Sequence, residues 1–314
     1  MQAGLKTVRV WAFGNTNDPA NEKNIYYQTL NSSGGYINYD ANTGIARLDY
    51  AVQKAESLGI KLVMVLLNNF DDLGGINSYT NAFGGTHQTF FTNTAAQQAY
   101  QAYIKFIVKR YKKSNAVFSW ELCNEPRCSG CDPSIITNWA KTTSQYIKSL
   151  DKQHMVAVGS EGWLLPSYPL GDGSYPYSGY EGVDSIALLN IPTIDYGTVH
   201  LYPFYWGKDY YWGIVWIQQH SDIGKAANKP VVLEEYAAPD AFTRGLWLPQ
   251  YQDTVLRRTS IASDMVWQFG SQFANENPFD NFAIYYDTNP TSEFQKIEAP
   301  QIKNMAAKRP VATI

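Results

Sequence analysis

Val117-Phe118-Ser119-Trp120-Glu121-Leu122-Cys123-Asn124-Glu125-Pro126 is the stretch whose reading decides the fold. It opens on Val, Phe and Trp, residue types that suit a pleated, half-buried strand. It closes on Pro126, which cannot donate to a sheet ladder. Glu125 is thereby carried to the end of an apolar strand, the place where barrels of parallel strands do their chemistry. That makes Glu125 a candidate catalytic acid/base.

Outward from this strand, helical and extended patterns alternate. On the N-terminal side, Leu5–Trp11 predicts a first strand, and Asn15 to Tyr39, rich in Asn, Gly and Tyr, predicts a long loop. Thr43–Leu58 has Ile45, Leu48, Ala51, Val52 and Ala55 on one helical face, with Gly59 as C-cap. Lys61–Leu67 is a continuous apolar run of the kind buried on both faces of a sheet. Asn68–Asp72 and a Gly-rich loop follow, then a helix over Thr94–Tyr111.

On the C-terminal side, Asp132-Pro133 opens a helix reaching about Leu150. Strands are expected at Met155–Gly159, Tyr196–Tyr202, Pro230–Tyr236 and Asp264–Gly270. A loop holding Trp206 and Trp212 leads to a helix ending near Asn228, and further helices are expected at Leu248–Ser263 and Ser292–Lys308. Such alternation predicts a parallel sheet. Seven strands are counted, and a closed (β/α)8 TIM barrel needs eight. The expectation is an α/β chain forming one (β/α)8-barrel domain over residues 1–314, with its first strand–helix unit missing from this sequence.

Composition narrows the function classes. A net charge of −3 offers no basic surface for nucleic acid or an anionic membrane. An apolar share of 45% supports a large core and excludes general disorder. The nine Trp and 23 Tyr exceed what core filling needs. Solvent-facing rings stack on the flat faces of sugars, although tyrosines that straddle core and surface give the same composition. Of three cysteines, Cys128 and Cys131 form a lone C-x-x-C. With no second pair there is no four-cysteine zinc site, and the thioredoxin context of a redox motif is missing. A short disulfide in a secreted protein is the favoured reading, with Cys123 a buried thiol. No apolar run is long enough to span a membrane. Asn31-Ser32-Ser33 permits glycosylation.

Two expected strand ends carry a glutamate, Glu125 and Glu235. Two carboxyl groups facing each other across a pocket are what glycosidic cleavage requires, and a gap of about 5–5.5 Å gives retention of configuration. A single carboxylate at a strand terminus is often only solvated. Arg9, His200, Tyr202 and Trp267 also fall at strand ends, and jointly they point to a site. Arg9 sits in an apolar run, where a buried guanidinium needs a carboxylate or several acceptors. Glu234 and Glu235 are neighbours, as are Asn124 and Glu125, and period-two alternation sends neighbours to opposite faces. If both members serve one site, the strand must bulge or kink at its end.

Trp120–Cys128, Thr198-Val199-His200-Leu201-Tyr202-Pro203, Leu233-Glu234-Glu235-Tyr236 and Val266-Trp267-Gln268 together resemble the fungal endo-β-1,4-mannanases of glycoside hydrolase family 5. The likeness extends to Arg9-Val10-Trp11 and Leu67-Asn68-Asn69, over nearly the whole chain. It implies that Glu125 is the acid/base and Glu235 the nucleophile. Asn124 would bond the sugar 2-hydroxyl, Arg9 and Tyr202 would keep the nucleophile ionised, and His200 would line the site beside the acid/base. Trp267 would be the platform at the cleavage point, Arg127 and Glu161 would serve the leaving-group side, and Cys128–Cys131 would be a short disulfide. Phe70 stands where the family commonly has a Trp platform, and Ala237 where a Gly usually follows Glu-Glu-Tyr.

The resemblance implies a secreted, monomeric enzyme that cuts β-1,4-mannan by double displacement, with no metal or organic cofactor. The rivals are a family 5 relative acting on cellulose or another β-glycan, a transglycosylating mannosidase, and a non-catalytic sugar-binding barrel. A barrel for phosphorylated metabolites would want a Gly-rich phosphate loop after the late strands, and Glu235-Tyr236-Ala237-Ala238-Pro239 offers none.

Overall fold

The structure is a computed structural model and describes residues 3–271 and 280–307. By its contacts the chain divides into two compact units, Lys6–Asp195 and Tyr196–Ile314, the latter including Met1–Leu5.

The first unit begins with β1 (Thr7–Trp11), followed by the short strands β2 (Asn15–Thr16), β3 (Gln28–Asn31) and β4 (Gly34–Ile37). Helix α1 (Ala46–Leu58) leads to β5 (Lys61–Val65), and α2 (Ile76–Phe83) and α3 (Thr94–Tyr111) lead to β6 (Val117–Glu121). Helix α4 (Ser134–Leu150), β7 (Met155–Ala157) and α5 (Ser185–Leu189) complete it. Its main sheet is parallel in the order β1-β5-β6-β7.

Expected loop 15–39 is instead a small sheet in the order β2-β3-β4. Gln28 and Leu30 are buried while Asn31 is exposed. This is a period-two pattern that the Asn- and Gly-rich composition hides. Ser32-Ser33 then turns the β3–β4 hairpin.

Helix α3 shows how the strand tips are held. Asn93 caps it by accepting from the Ala96 N–H. Its buried stripe includes Tyr100 and Tyr103. The Tyr100 hydroxyl donates to the Leu122 carbonyl, and that of Tyr103 to the Ala12 carbonyl at 2.7 Å. Both acceptors lie just past strands, where the ladder has ended, so phenols replace the missing ladder donors. Part of the tyrosine excess is therefore core: Tyr79, Tyr100, Tyr103, Tyr177, Tyr236 and Tyr251 are fully buried.

The second unit holds β8 (Gly197–Leu201), α6 (Tyr210–Ala227), β9 (Val231–Tyr236), α7 (Ala241–Asp253) and β10 (Ser263–Asp264). Then come β11 (Phe269–Gly270), β12 (Ile284–Tyr285) and α8 (Ala299–Ala307). The order β10-β9-β8 is parallel, as is the β11–β12 pair. Six of the seven expected strands lie within their segments, and the seventh is paired to β9 only at Ser263–Asp264.

Trp212 lies inside α6 rather than in the loop before it, because Asp209 caps the helix by accepting from the Trp212 N–H. The helix expected at Leu248–Ser263 starts earlier, at Ala241, under a cap by Asp240, and ends in a π-helical turn, Thr254–Arg258. Its Pro249 lies inside the helix. The last helix is a π-helical turn, Phe294–Glu298, followed by α8. Its expected end at Lys308 lies outside the described residues.

A polar network is buried against β9. The Tyr236 hydroxyl donates to Asp264 Oδ2 at 2.6 Å, and Gln301 Nε2 donates to Asp264 Oδ1 at 2.9 Å. Gln252 Nε2 donates to Tyr236 Oη at 2.9 Å and to Glu298 Oε1 at 3.0 Å. Burial pushes the Glu298 carboxyl up to about 8, the Asp264 charge adds to this, and the Gln252 bond opposes it. Among the described residues no helix is long and apolar enough to cross a membrane.

Candidate active site

In the first unit the chemistry-bearing residues cluster toward and just beyond the carboxyl ends of β5, β6 and β7, with Arg9 inside β1. Backbone pairing continues past the strands. The Asn124 N–H donates to the Leu67 carbonyl at 2.8 Å, that of Asn69 to the Asn124 carbonyl at 3.0 Å, and that of Glu125 to the Gly159 carbonyl at 2.8 Å. A Cβ at Gly159 would collide with the Cys123 carbonyl and the Glu121 carboxylate, so only glycine lets β6 and β7 approach here. Glu125 has φ +49°, a left-handed conformation that costs a non-glycine residue about 1–3 kcal/mol and that recurs at functional sites. This turn settles the alternation problem at Asn124-Glu125 without a bulge, since both side chains find polar partners beyond the strand: Arg9 and Asn68 for Asn124, Arg127 for Glu125.

These partners form two polar clusters. Arg9 Nε donates to Glu121 Oε2 at 2.9 Å, and its Nη2 donates to Glu121 Oε1 at 2.5 Å and to Asn124 Oδ1 at 2.8 Å. The buried guanidinium thus has a bidentate carboxylate, the geometry that best offsets its desolvation. Asn124 Nδ2 donates in turn to Asn68 Oδ1 at 3.0 Å. In the other cluster, Arg127 Nε donates to Glu161 Oε1 at 2.6 Å and its Nη2 to Glu125 Oε2 at 3.1 Å. Glu181 Oε1 lies 3.9 Å from Nη1, and the guanidinium stacks on Phe70 and Trp163, 5.3 and 5.6 Å from their ring centres. Burial works against the Arg127 charge, but Glu161, Glu125 and Glu181 outweigh it and push its pKa up. Glu125 is 6% exposed. Cys128 and Cys131 are disulfide-bonded, and Cys123 is a buried thiol without a bridge.

In the second unit, β8 and β9 change register between Val199 and His200. Val199 pairs with Leu233, and His200 with Glu235. Glu234 is the residue passed over, and the irregularity lets two adjacent carboxylates approach one imidazole. His200 Nε2 lies 3.5 Å from Glu234 Oε2 and Nδ1 lies 3.6 Å from Glu235 Oε2, with His200 wholly buried. The Tyr202 hydroxyl donates to Glu235 Oε2 at 2.7 Å. Trp267, half-buried, is held at its backbone by the Tyr236 carbonyl and at its indole N–H by Asp280 Oδ2 at 3.2 Å.

A family model described as GH family 5 beta-mannosidase-like matches residues 1–243. The chain belongs to glycoside hydrolase family 5. It is 45% identical over 289 residues to a probable mannan endo-1,4-beta-mannosidase A of Aspergillus oryzae, covering 92% of this chain and 74% of that protein. Among solved structures, the endo-1,4-beta-mannanase of Rhizomucor miehei superposes with a TM-score of 0.87 at 35% identity, covering 98% of this chain and 88% of that one. The endo-beta-1,4-mannanase of Thermotoga petrophila gives 0.86 at 34% identity, covering 98% and 70%. Within family 5 the fold is of the (β/α)8 class.

Sequence reasoning gave no role to several residues that hold this family 5 site. Glu121 is the carboxylate that Arg9 needs, and an acid inside a buried strand was the signal available. Glu181 and Asp280 come from loops distant in sequence and carried no local signal. Glu234 was visible only as a neighbour of Glu235.

Proposed function

We propose that this family 5 protein is a secreted, monomeric endo-β-1,4-mannanase, with residues 1–314 as one catalytic domain. Glu235 attacks the anomeric carbon while Glu125 protonates the departing oxygen. Glu125 then takes a proton from the water that frees the product, restoring the original configuration. Tyr202 fixes the orientation of the attacking carboxylate through its 2.7 Å bond. Arg9 and Asn68 fix the amide of Asn124 toward the sugar, and Trp267 stacks beneath it.

The observation that carries this reading is that two separate strand ends each present a buried glutamate held by a specific partner, Arg127 for Glu125 and Tyr202 for Glu235. The relatives named for cleaving mannan supply the substrate class. The test is release of reducing ends from mannan and from cellulose, with proton NMR of the first product formed. Preference for mannan, a first product of β configuration, and loss of about 10²–10⁴-fold in Glu125→Ala are expected. Preference for cellulose would move the enzyme to another β-glycan, and an α first product would overturn retention.

A further inference from the structure

Asn31-Ser32-Ser33 takes no part in the cleavage chemistry, and the fold sets it at the turn of the β3–β4 hairpin. Gln28 and Leu30 of β3 are buried and Asn31 is exposed, so the asparagine stands on the outer face of this small sheet. Ser32 and Ser33 are exposed as well. Asn31 pairs with Gly34 across the turn. A Cβ built on Gly34 meets nothing within 4 Å, so open space lies beside the asparagine.

Asn31 Oδ1 accepts from the Ser33 N–H at 2.9 Å, which closes an Asx turn. Its Nδ2 has no hydrogen-bond partner among the described residues. A group attached to Nδ2 therefore breaks no bond of the folded chain, and the carbonyl oxygen goes on holding the turn.

One exposed ring is placed to meet such a group. Tyr36 opposes Thr29, as Gly34 opposes Asn31, so Tyr36 shares the face of Asn31 and is its diagonal neighbour. Side chains so related are about 7–8 Å apart, within reach of an aromatic ring. Tyr36 is 52% exposed, and no described ring packs against it. Its free face is a flat apolar surface of the size of a pyranose.

We propose that Asn31 is an N-glycosylation site and that the first sugar of its glycan rests on Tyr36. In the transfer, Asn31 Nδ2 bonds to the anomeric carbon of a sugar carried on a polyprenyl diphosphate. The bond from that carbon to the diphosphate oxygen breaks, the diphosphate leaves with the electron pair, and Nδ2 gives up one proton to a base of the transferase. The Ser33 hydroxyl completes the acceptor that the transferase reads. The only other asparagine with Ser or Thr two residues on is Asn289, and Pro290 between Asn289 and Thr291 excludes it. The proposal goes beyond mannan cleavage and shares with that reading only passage through the secretory route.

The test expresses the full chain behind a yeast secretion leader, which supplies that passage whether or not the protein cuts mannan. Intact mass is expected to show one glycan that peptide N-glycosidase removes. Ser33→Thr is expected to keep it, and Ser33→Ala and Asn31→Gln to lose it. Ser33→Ala retains the backbone N–H that closes the turn, so its loss is not a folding effect. With the glycan trimmed to a single N-acetylglucosamine, the acetyl methyl resonance is expected to lie upfield under the ring current of Tyr36 and to move back in Tyr36→Ala. The mass of a bare chain, in the medium or in the cell lysate, overturns the proposal, as does a glycan that survives Ser33→Ala. A methyl resonance indifferent to Tyr36→Ala overturns the contact with Tyr36.

Discussion

Glu298 should make the stability of this enzyme fall as pH rises through neutrality, and Glu298→Gln should remove that slope. Glu298 is 6% exposed, with Asp264 nearby and only Gln252 donating to it among its described hydrogen bonds. Its folded-state pKa is about 8 against an ordinary 4.5. Below 4.5 the group is protonated in both states. Between 4.5 and about 8 the folded chain keeps a proton that the unfolded chain has released, so stability declines as pH rises. Above about 8 both states are ionised and the contribution is gone. At about 1.36 kcal/mol per pH unit, the gap corresponds to about 5 kcal/mol across the window. Glutamine keeps the oxygen that accepts from Gln252 and has nothing to titrate. Urea unfolding at half-unit steps from pH 4.5 to 8.5 should show the difference between intact protein and variant changing by about 1.4 kcal/mol per unit. Parallel curves would show that Glu298 titrates alike in both states and would refute the reasoning.

Other consequences concern the half-sites. Tyr202→Phe removes the 2.7 Å bond to Glu235. A bond to a charged group contributes about 1.5–3 kcal/mol, so kcat/KM should fall about 10- to 100-fold with folding unchanged by circular dichroism. Glu121→Gln leaves the Arg9 guanidinium without its carboxylate in a buried setting. It should cost about 3–5 kcal/mol of stability, read as a lowered urea midpoint. Recovery in Glu121→Gln/Arg9→Met would show that the uncompensated charge is responsible.

The legibility of the sequence was uneven for physical reasons. Strands such as Lys61–Val65 and Val117–Glu121 are buried apolar runs, and their pattern is local, so they were read in place. Strands β3 and β4 were missed because a small sheet rich in Asn and Gly has the composition of a loop. Helix α7 was expected to start at Leu248 and starts at Ala241, where Asp240 supplies the cap.

Sequence alone marked Glu125, Glu235, Arg9, Tyr202, His200 and Trp267, since charged and aromatic residues that close apolar strands stand out against a period-two background. It also raised the demand that a buried Arg9 places on its surroundings. Which group meets that demand was a tertiary matter. Glu121 lies 112 residues away and becomes its partner only when β1 and β6 flank β5. Alternation also raised the need for a bulge or kink at Asn124-Glu125 and Glu234-Glu235, but the form each takes, a left-handed turn at Glu125 and a register change at His200, was likewise a tertiary matter. Residue type is a local property, whereas hydrogen-bond partners and strand register are set by the sheet, and the sheet exists only once distant segments have packed.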